Sequence, residues 1–180
     1  IGGIGSAGNI NIRTSNLEIT DFNNEDPGGI TSQVEPGAIG DGGDITINTN
    51  LIEVIASDAA ASADPQQQQL IEFLQGRIPS TITTLVLPGG TGTGGDLTIK
   101  TQQLTVREGG SVSTGTFGAG DSGNLTIRAD NIEVSGVATT DFPRSNISTA
   151  VTSVTGTGKG GDLEIEAQQI TLRDGGSIQS

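Results

Sequence analysis

Along most of the chain, short apolar–polar alternations recur in a fixed order. A glycine followed by Asp or Asn opens each set. Ile or Leu, a polar residue and Ile come next; after four more residues come Leu or Ile, a second polar residue, and Val, Leu or Ile. Five copies begin at Gly8, Gly43, Gly95, Gly123 and Gly161, and they align without a gap: "GNINIRTSNLEI", "GDITINTNLIEV", "GDLTIKTQQLTV", "GNLTIRADNIEV" and "GDLEIEAQQITL". A period of two places Leu97 and Ile99 on one face of a strand, with Thr98 and Lys100 on the other. Leu104 and Val106 do the same around Thr105. A third short element follows each copy: Ile30-Thr31-Ser32, Ile82-Thr83-Thr84, Val112-Ser113-Thr114, Ile147-Ser148-Thr149 and Ile178-Gln179-Ser180. Each repeat therefore contains three strand candidates.

Strands this short do not fold alone. They become stable when each repeat pairs its backbone with the repeats before and after it and a continuous core is shared. The predicted fold is all-β: a right-handed three-sided parallel β-helix, or solenoid, of about five coils. In that stack Glu18 lies beside Glu53, a mildly unfavourable like-charge pair within a Glu18, Glu53, Glu133 column. A neighbouring column of Arg13, Lys100 and Arg128 is available to offset it.

Spacing locates the variable parts. Repeat starts are 35, 52, 28 and 38 residues apart. From the end of the second strand to the start of the third the steps are 11, 28, 6, 13 and 6, whereas from the third strand to the next repeat they are 13, 13, 11 and 14. One corner thus absorbs insertions, at about 20–29, 55–81 and 135–146, in a single domain spanning 1–180. Where the corner is short it reads "REGG" or "RDGG", with glycine suited to the positive φ of a tight turn. The longest insertion contains "ADPQQQQLIEFLQG". Asp64 as N-cap, Pro65 at the first helical position and Gly76 as a stop predict a short helix over about 65–75, with Leu70, Phe73 and Leu74 on one face.

The repeated "GGDLTI…QQLTV…GGSVST…FGAGDSGNLTI" resembles the repeat regions of filamentous-haemagglutinin-like exoproteins, in particular the haemagglutinin-related proteins of cyanobacteria. The likeness covers nearly all of the chain apart from the insertions. It implies a long right-handed β-helix exported by the two-partner route of a Gram-negative-type bacterium and displayed outside the cell, with roles in adhesion and aggregation. The family's amino-terminal secretion domain is not visible in this sequence. The first residue is Ile and no signal pattern follows it, so the chain reads as an internal fragment of a longer repeat protein.

Composition narrows the chemistry. The chain of 180 residues has 29 glycines, four phenylalanines and no Trp, Tyr, Cys, His or Met. That excludes disulfides, thiolate metal sites, imidazole bases and cysteine nucleophiles. A chain without cysteine also suits passage through an oxidising periplasm while unfolded. A formal net charge of −13 disfavours nucleic acid and anionic membrane surfaces, and no apolar run has membrane-spanning length. Turns such as "AIGDGGD", "GAGDSGN" and "GTGKGGD" resemble calcium-binding nonapeptide repeats. Those need tandem nine-residue spacing so that successive turns share an ion, and here the turns recur every 28 residues or more. A turn-forming role is the better reading; no cofactor or metal is expected beyond weak Ca²⁺ binding by carboxylates. A polysaccharide-acting enzyme on this fold would need paired acids or a base in a cleft. Asp21, Glu25 and Asp26 cluster in "DFNNEDPGG", but as a solvated loop, so no catalytic residue is assigned.

Three of the four phenylalanines, Phe22, Phe73 and Phe142, fall in the variable corner, and "TDF" occurs there twice. Asp21, Phe22, Phe73, Asp141 and Phe142 are therefore candidate contact residues for a surface glycan or protein. The competing and weightier role for each Phe is to fold back and anchor its own loop. The expected function is that of a rigid structural and adhesive segment of a secreted fibre. The alternative is a filament or sheath subunit that stacks end to end on identical chains.

Overall fold

The computed structural model describes residues 3–20, 28–56, 80–136, 144–151 and 157–180. Among these residues thirteen strands follow one another: β1 (Ile10–Arg13), β2 (Asn16–Thr20), β3 (Gly29–Val34), β4 (Ile45–Asn48), β5 (Leu51–Ile55), β6 (Thr81–Val86), β7 (Leu97–Lys100), β8 (Gln103–Arg107), β9 (Ser111–Thr116), β10 (Leu125–Ser135), β11 (Asn146–Val151), β12 (Leu163–Arg173) and β13 (Ser177–Gln179). In the last two full repeats the first and second strands run together as β10 and β12, because the four residues between them stay extended. No helix occurs among the described residues, and the segment expected to be helical, 65–75, lies outside them.

All pairing is parallel, and it runs between equivalent strands of successive repeats. First strands pair in the order β1, β4, β7, β10, β12; second strands pair as β2, β5, β8, β10, β12. Third strands form a separate five-stranded sheet in the order β3, β6, β9, β11, β13. Isolated bridges add a narrow fourth ladder through Ile4, Ile39, Thr91, Ala119 and Thr157. The result is an all-β chain of parallel strands in curled sheets, an arrangement compatible with a β-solenoid.

The register coincides with the gapless alignment of the five copies. Ile10, Ile45, Leu97, Leu125 and Leu163 are successive partners. So are Ile30, Ile82, Val112, Ile147 and Ile178. A one-residue slip would turn every apolar side chain outward, so burial fixes the register strongly. In the three inner repeats the apolar columns are wholly buried: Ile45, Ile47, Leu97, Ile99, Leu125 and Ile127 from first strands, with Ile52, Val54, Leu104, Val106, Ile132 and Val134 from second strands. The first and last repeats have a neighbour on one side only. Ile10, Ile12, Leu163 and Ile165 are accordingly half-buried, and Ile170 and Leu172 are exposed.

Two glycine columns set how closely the repeats approach. A Cβ on Gly43, Gly95, Gly123 or Gly161 would sit 2.0–2.1 Å from the carbonyl oxygen of the equivalent glycine one repeat earlier. The column Gly40, Gly92, Gly120 and Gly158 is as tight, at 1.9–2.1 Å. The compact corner uses glycine in two ways. In Arg107–Gly110 the two central residues, Glu108 and Gly109, have φ of 56° and 90°, and the Gly110 N–H donates to the Arg107 carbonyl at 3.0 Å, the pattern of a type I′ turn. Gly110 itself is required by space, since its Cβ would lie 2.4 Å from the Val54 carbonyl oxygen. The turn at Arg173–Gly176 repeats both features.

Replacing Gly95 by Ala should therefore lower stability by about 2–4 kcal/mol, because the obstacle is backbone and cannot rotate away. Gly3 has open space where its Cβ would go, and Gly3→Ala should be nearly neutral. Thermal melting of the two variants checks the contrast; equal melting temperatures would show that the columns are not close-packed.

Candidate functional site

The variable segments leave and rejoin the sheets at stacked positions. The second strands of the first, second and fourth repeats end at Thr20, Ile55 and Ser135. These belong to one register column with Arg107 and Arg173, which open the compact turns. Chain re-entry occurs at Gly29, Thr81 and Asn146, again one column, shared with Ser111 and Ser177. The candidate contact residues Asp21, Phe22, Phe73, Asp141 and Phe142 lie outside the described residues, between these anchor points. What the structure defines is the base from which they spring.

That base is charged and hydrogen-bonded. Glu18 and Glu53 are register partners, as are Lys100 and Arg128. Among the described residues, Arg13, Lys100 and Arg128 form no ion pair with the glutamate column that they were expected to offset. Relief comes diagonally, from the repeat that follows: Arg107 Nη2 lies 3.8 Å from Glu53 Oε1, and Arg173 bonds Glu133 through Nη2 and through Nε, the latter at 3.1 Å. The Glu133 hydrogen bond and charge raise the Arg173 pKa above its ordinary value. Arg128 instead meets Glu166 of the next repeat directly, at 2.8 Å. Ion pairs as exposed as these add little to total stability. Ser145 ties the corner together: its Oγ accepts the Gly109 N–H at 3.0 Å and donates to the Ser135 carbonyl at 2.7 Å. Its hydroxyl thus joins the compact turn of one repeat to the strand end of the next, a role the sequence did not announce.

The Asp and Asn residues of the glycine-rich turns have a definite task. The side-chain oxygen of Asn9 accepts the Asp44 N–H, Asp44 accepts that of Asp96, Asp96 that of Asn124, and Asn124 that of Asp162, at 2.8–2.9 Å throughout. A second, partial ladder lies three residues earlier. Asp41 Oδ1 accepts from the Thr93 N–H at 3.0 Å and from the Thr93 hydroxyl at 2.7 Å, and Asp121 Oδ1 accepts the Lys159 N–H at 2.8 Å. These bonds account for the Asp/Asn choice that resembles calcium repeats, since one carboxylate oxygen of each Asp in the chain of acceptors is already engaged. Among the described residues no group of three or more acidic side chains converges as a metal site would require.

A shallow recess between β10 and β12 is lined by Thr101, Arg128, Ala129, Asp130, Glu166 and Gln168. Its polar groups satisfy one another: besides the Arg128–Glu166 pair, Gln168 Nε2 donates to Asp130 Oδ1 at 2.8 Å. Such a surface offers no uncommitted acid–base pair.

Set against known proteins, the chain matches no protein-family model, no curated protein and no solved structure.

Two outcomes follow for the ladders. Asp96→Asn should be nearly neutral, because Asn fills the equivalent place at Asn9 and Asn124, whereas Asp96→Ala should cost about 1 kcal/mol by leaving the Asn124 N–H without its acceptor. Chemical denaturation of both variants separates them. The Thr93 N–H and then the Thr93 hydroxyl hold the Asp41 carboxyl below its ordinary pKa. A depressed folded-state pKa contributes stability above the unfolded value and loses it as pH falls through the folded one. Asp41→Asn should therefore remove part of the acid-induced loss of stability below about pH 4. Identical pH profiles for the variant and the natural chain would contradict this.

Proposed function

We propose that the chain is a segment of a right-handed three-sided parallel β-solenoid and works as a stiff, extended part of a secreted surface fibre, of the kind that filamentous-haemagglutinin-like exoproteins form. The observation that carries the reading is the uninterrupted register. All three strands of five repeats pair in parallel with their counterparts, although the repeats differ in length by up to 24 residues, from 28 to 52. A frame of constant geometry whose length differences fall mainly between second and third strands is suited to holding diverse loops at regular intervals along one edge.

In this reading the frame carries no chemistry of its own. Its work is mechanical: to project a column of loops away from the cell and keep them in line. The loops at 20–29, 55–81 and 135–146 make the contacts, with glycans or proteins of another surface as partners. Asp21, Phe22, Phe73, Asp141 and Phe142 are the side chains that combine aromatic area with charge there. Strand edges at the two ends of the stack accept further repeats of the same kind, from the same polypeptide or an identical one.

A chain in which 56–80 is replaced by the Glu-Gly-Gly turn of the compact corner should keep its β-sheet circular dichroism and lose cell attachment by about tenfold or more, the equivalent of ~1.4 kcal/mol of contact. Unchanged attachment by this variant, and by Phe22→Ser combined with Phe142→Ser, would sink the adhesive role of the loops. Electron microscopy of the natural material tests the rod itself, which should be continuous and uniform in width.

A further inference from the structure

Third strands carry an interior column that is not apolar. Ser32, Thr84, Thr114 and Thr149 are register partners, two residues beyond the buried Ile82, Val112 and Ile147 and on the same face. Thr84 and Thr114 are 0 % exposed and Thr149 is 2 % exposed. The Ser32 hydroxyl accepts the Gly43 N–H at 2.8 Å. The Oγ1 atoms of Thr84, Thr114 and Thr149 have no hydrogen-bond partner, and neither does that of Thr116, which adjoins Thr114 on the same face and is also 0 % exposed.

A buried hydroxyl without a partner costs about 1–3 kcal/mol. Four such groups in one strip would consume a large part of the 5–15 kcal/mol by which domains are typically stable. These hydroxyls do not bond one another. The outward Thr83 and Ser113 hydroxyls of β6 and β9 do approach to 3.1 Å, but equivalent atoms on neighbouring strands are nominally about 4.7–4.9 Å apart, beyond hydrogen-bond reach. That spacing does suit a water molecule. With O–H···O distances near 2.8 Å and tetrahedral bond directions, one water spans about 4.6 Å between the two oxygens it bridges. Buried waters require two to four polar partners, and two successive hydroxyls supply the first two.

We propose that the interior of the stack binds a single file of ordered water molecules, one between Thr84 and Thr114 and one between Thr114 and Thr149, with Thr116 as a further partner beside the middle of the file. Each water is a repeating unit of the core in the way that each isoleucine is. Thr114 is the central member and contributes to both waters.

Magnetic relaxation dispersion of water deuterons and oxygen-17, together with water-to-protein cross-relaxation in NMR, reads the file directly. Long-lived internal waters should give a dispersion amplitude, with cross-peaks to the methyl groups of Thr84, Thr114 and Thr149. Thr114→Val should abolish the cross-peaks at Thr84 and Thr149 and lower the melting temperature by roughly 2–6 °C. Thr114→Ser, which keeps the hydroxyl, should retain them. The proposal is overturned if the natural chain shows no internal-water amplitude, or if Thr114→Val melts higher than the natural chain, as removal of a dry, unpartnered hydroxyl would cause. Should Thr114→Val not fold, the amplitude in the natural chain and in Thr114→Ser decides the matter alone.

Discussion

Backbone pairing between equivalent residues of successive repeats is the constraint from which the remaining features follow. It fixes the rise per repeat at one strand separation, about 4.8 Å. Every paired backbone position of a repeat therefore meets its counterpart at that distance. Residues that tolerate self-contact at 4.8 Å fill the columns: Ile, Leu and Val inward, Asn and Asp where a side chain can reach the next backbone amide, and glycine where two main chains almost touch. Charged residues tolerate it poorly, which is why the Glu18–Glu53 contact is relieved by an arginine two places along rather than by a neighbour in the same column.

The frame was legible in the sequence because each of its rules leaves a mark at every repeat. Apolar alternation revealed the three strands, and gapless alignment of Gly8, Gly43, Gly95, Gly123 and Gly161 gave the pairing register before any geometry was known. The reason for those glycines was not legible. A turn explanation was natural for Gly-Asp and Gly-Asn pairs, yet the main requirement is close approach to a carbonyl one repeat away, which appears only once the repeats are stacked. The same limit applies to Ser32, Thr84, Thr114 and Thr149. In a linear reading they look like the polar end of a short strand; the fold turns them inward.

The candidate contact residues were the least legible. Asp21, Phe22, Phe73, Asp141 and Phe142 stand in segments that obey no repeat, so neither period nor column constrains their neighbours. Composition could single them out as the aromatic and acidic exceptions. Ser145 and Arg107 illustrate the converse: both matter to the corner, and both are ordinary residues at unremarkable places in the sequence. Only contacts between repeats distinguish them.

The chain of acceptors Asn9, Asp44, Asp96 and Asn124, the last of which takes the Asp162 N–H, has a direction. Each side chain accepts from the repeat after it, never from the one before. Backbone N–H and C=O groups line both faces of any cut across the stack, but the ladder itself exposes two unlike surfaces: side-chain oxygens facing one way, the amide N–H groups that they accept facing the other. Mating two like surfaces would set ladder oxygen against ladder oxygen at these positions. Polarity is consequently written into the ladder, and carrying it across a joint between two such stacks requires heterologous, head-to-tail contact, giving a line that has a front and a back.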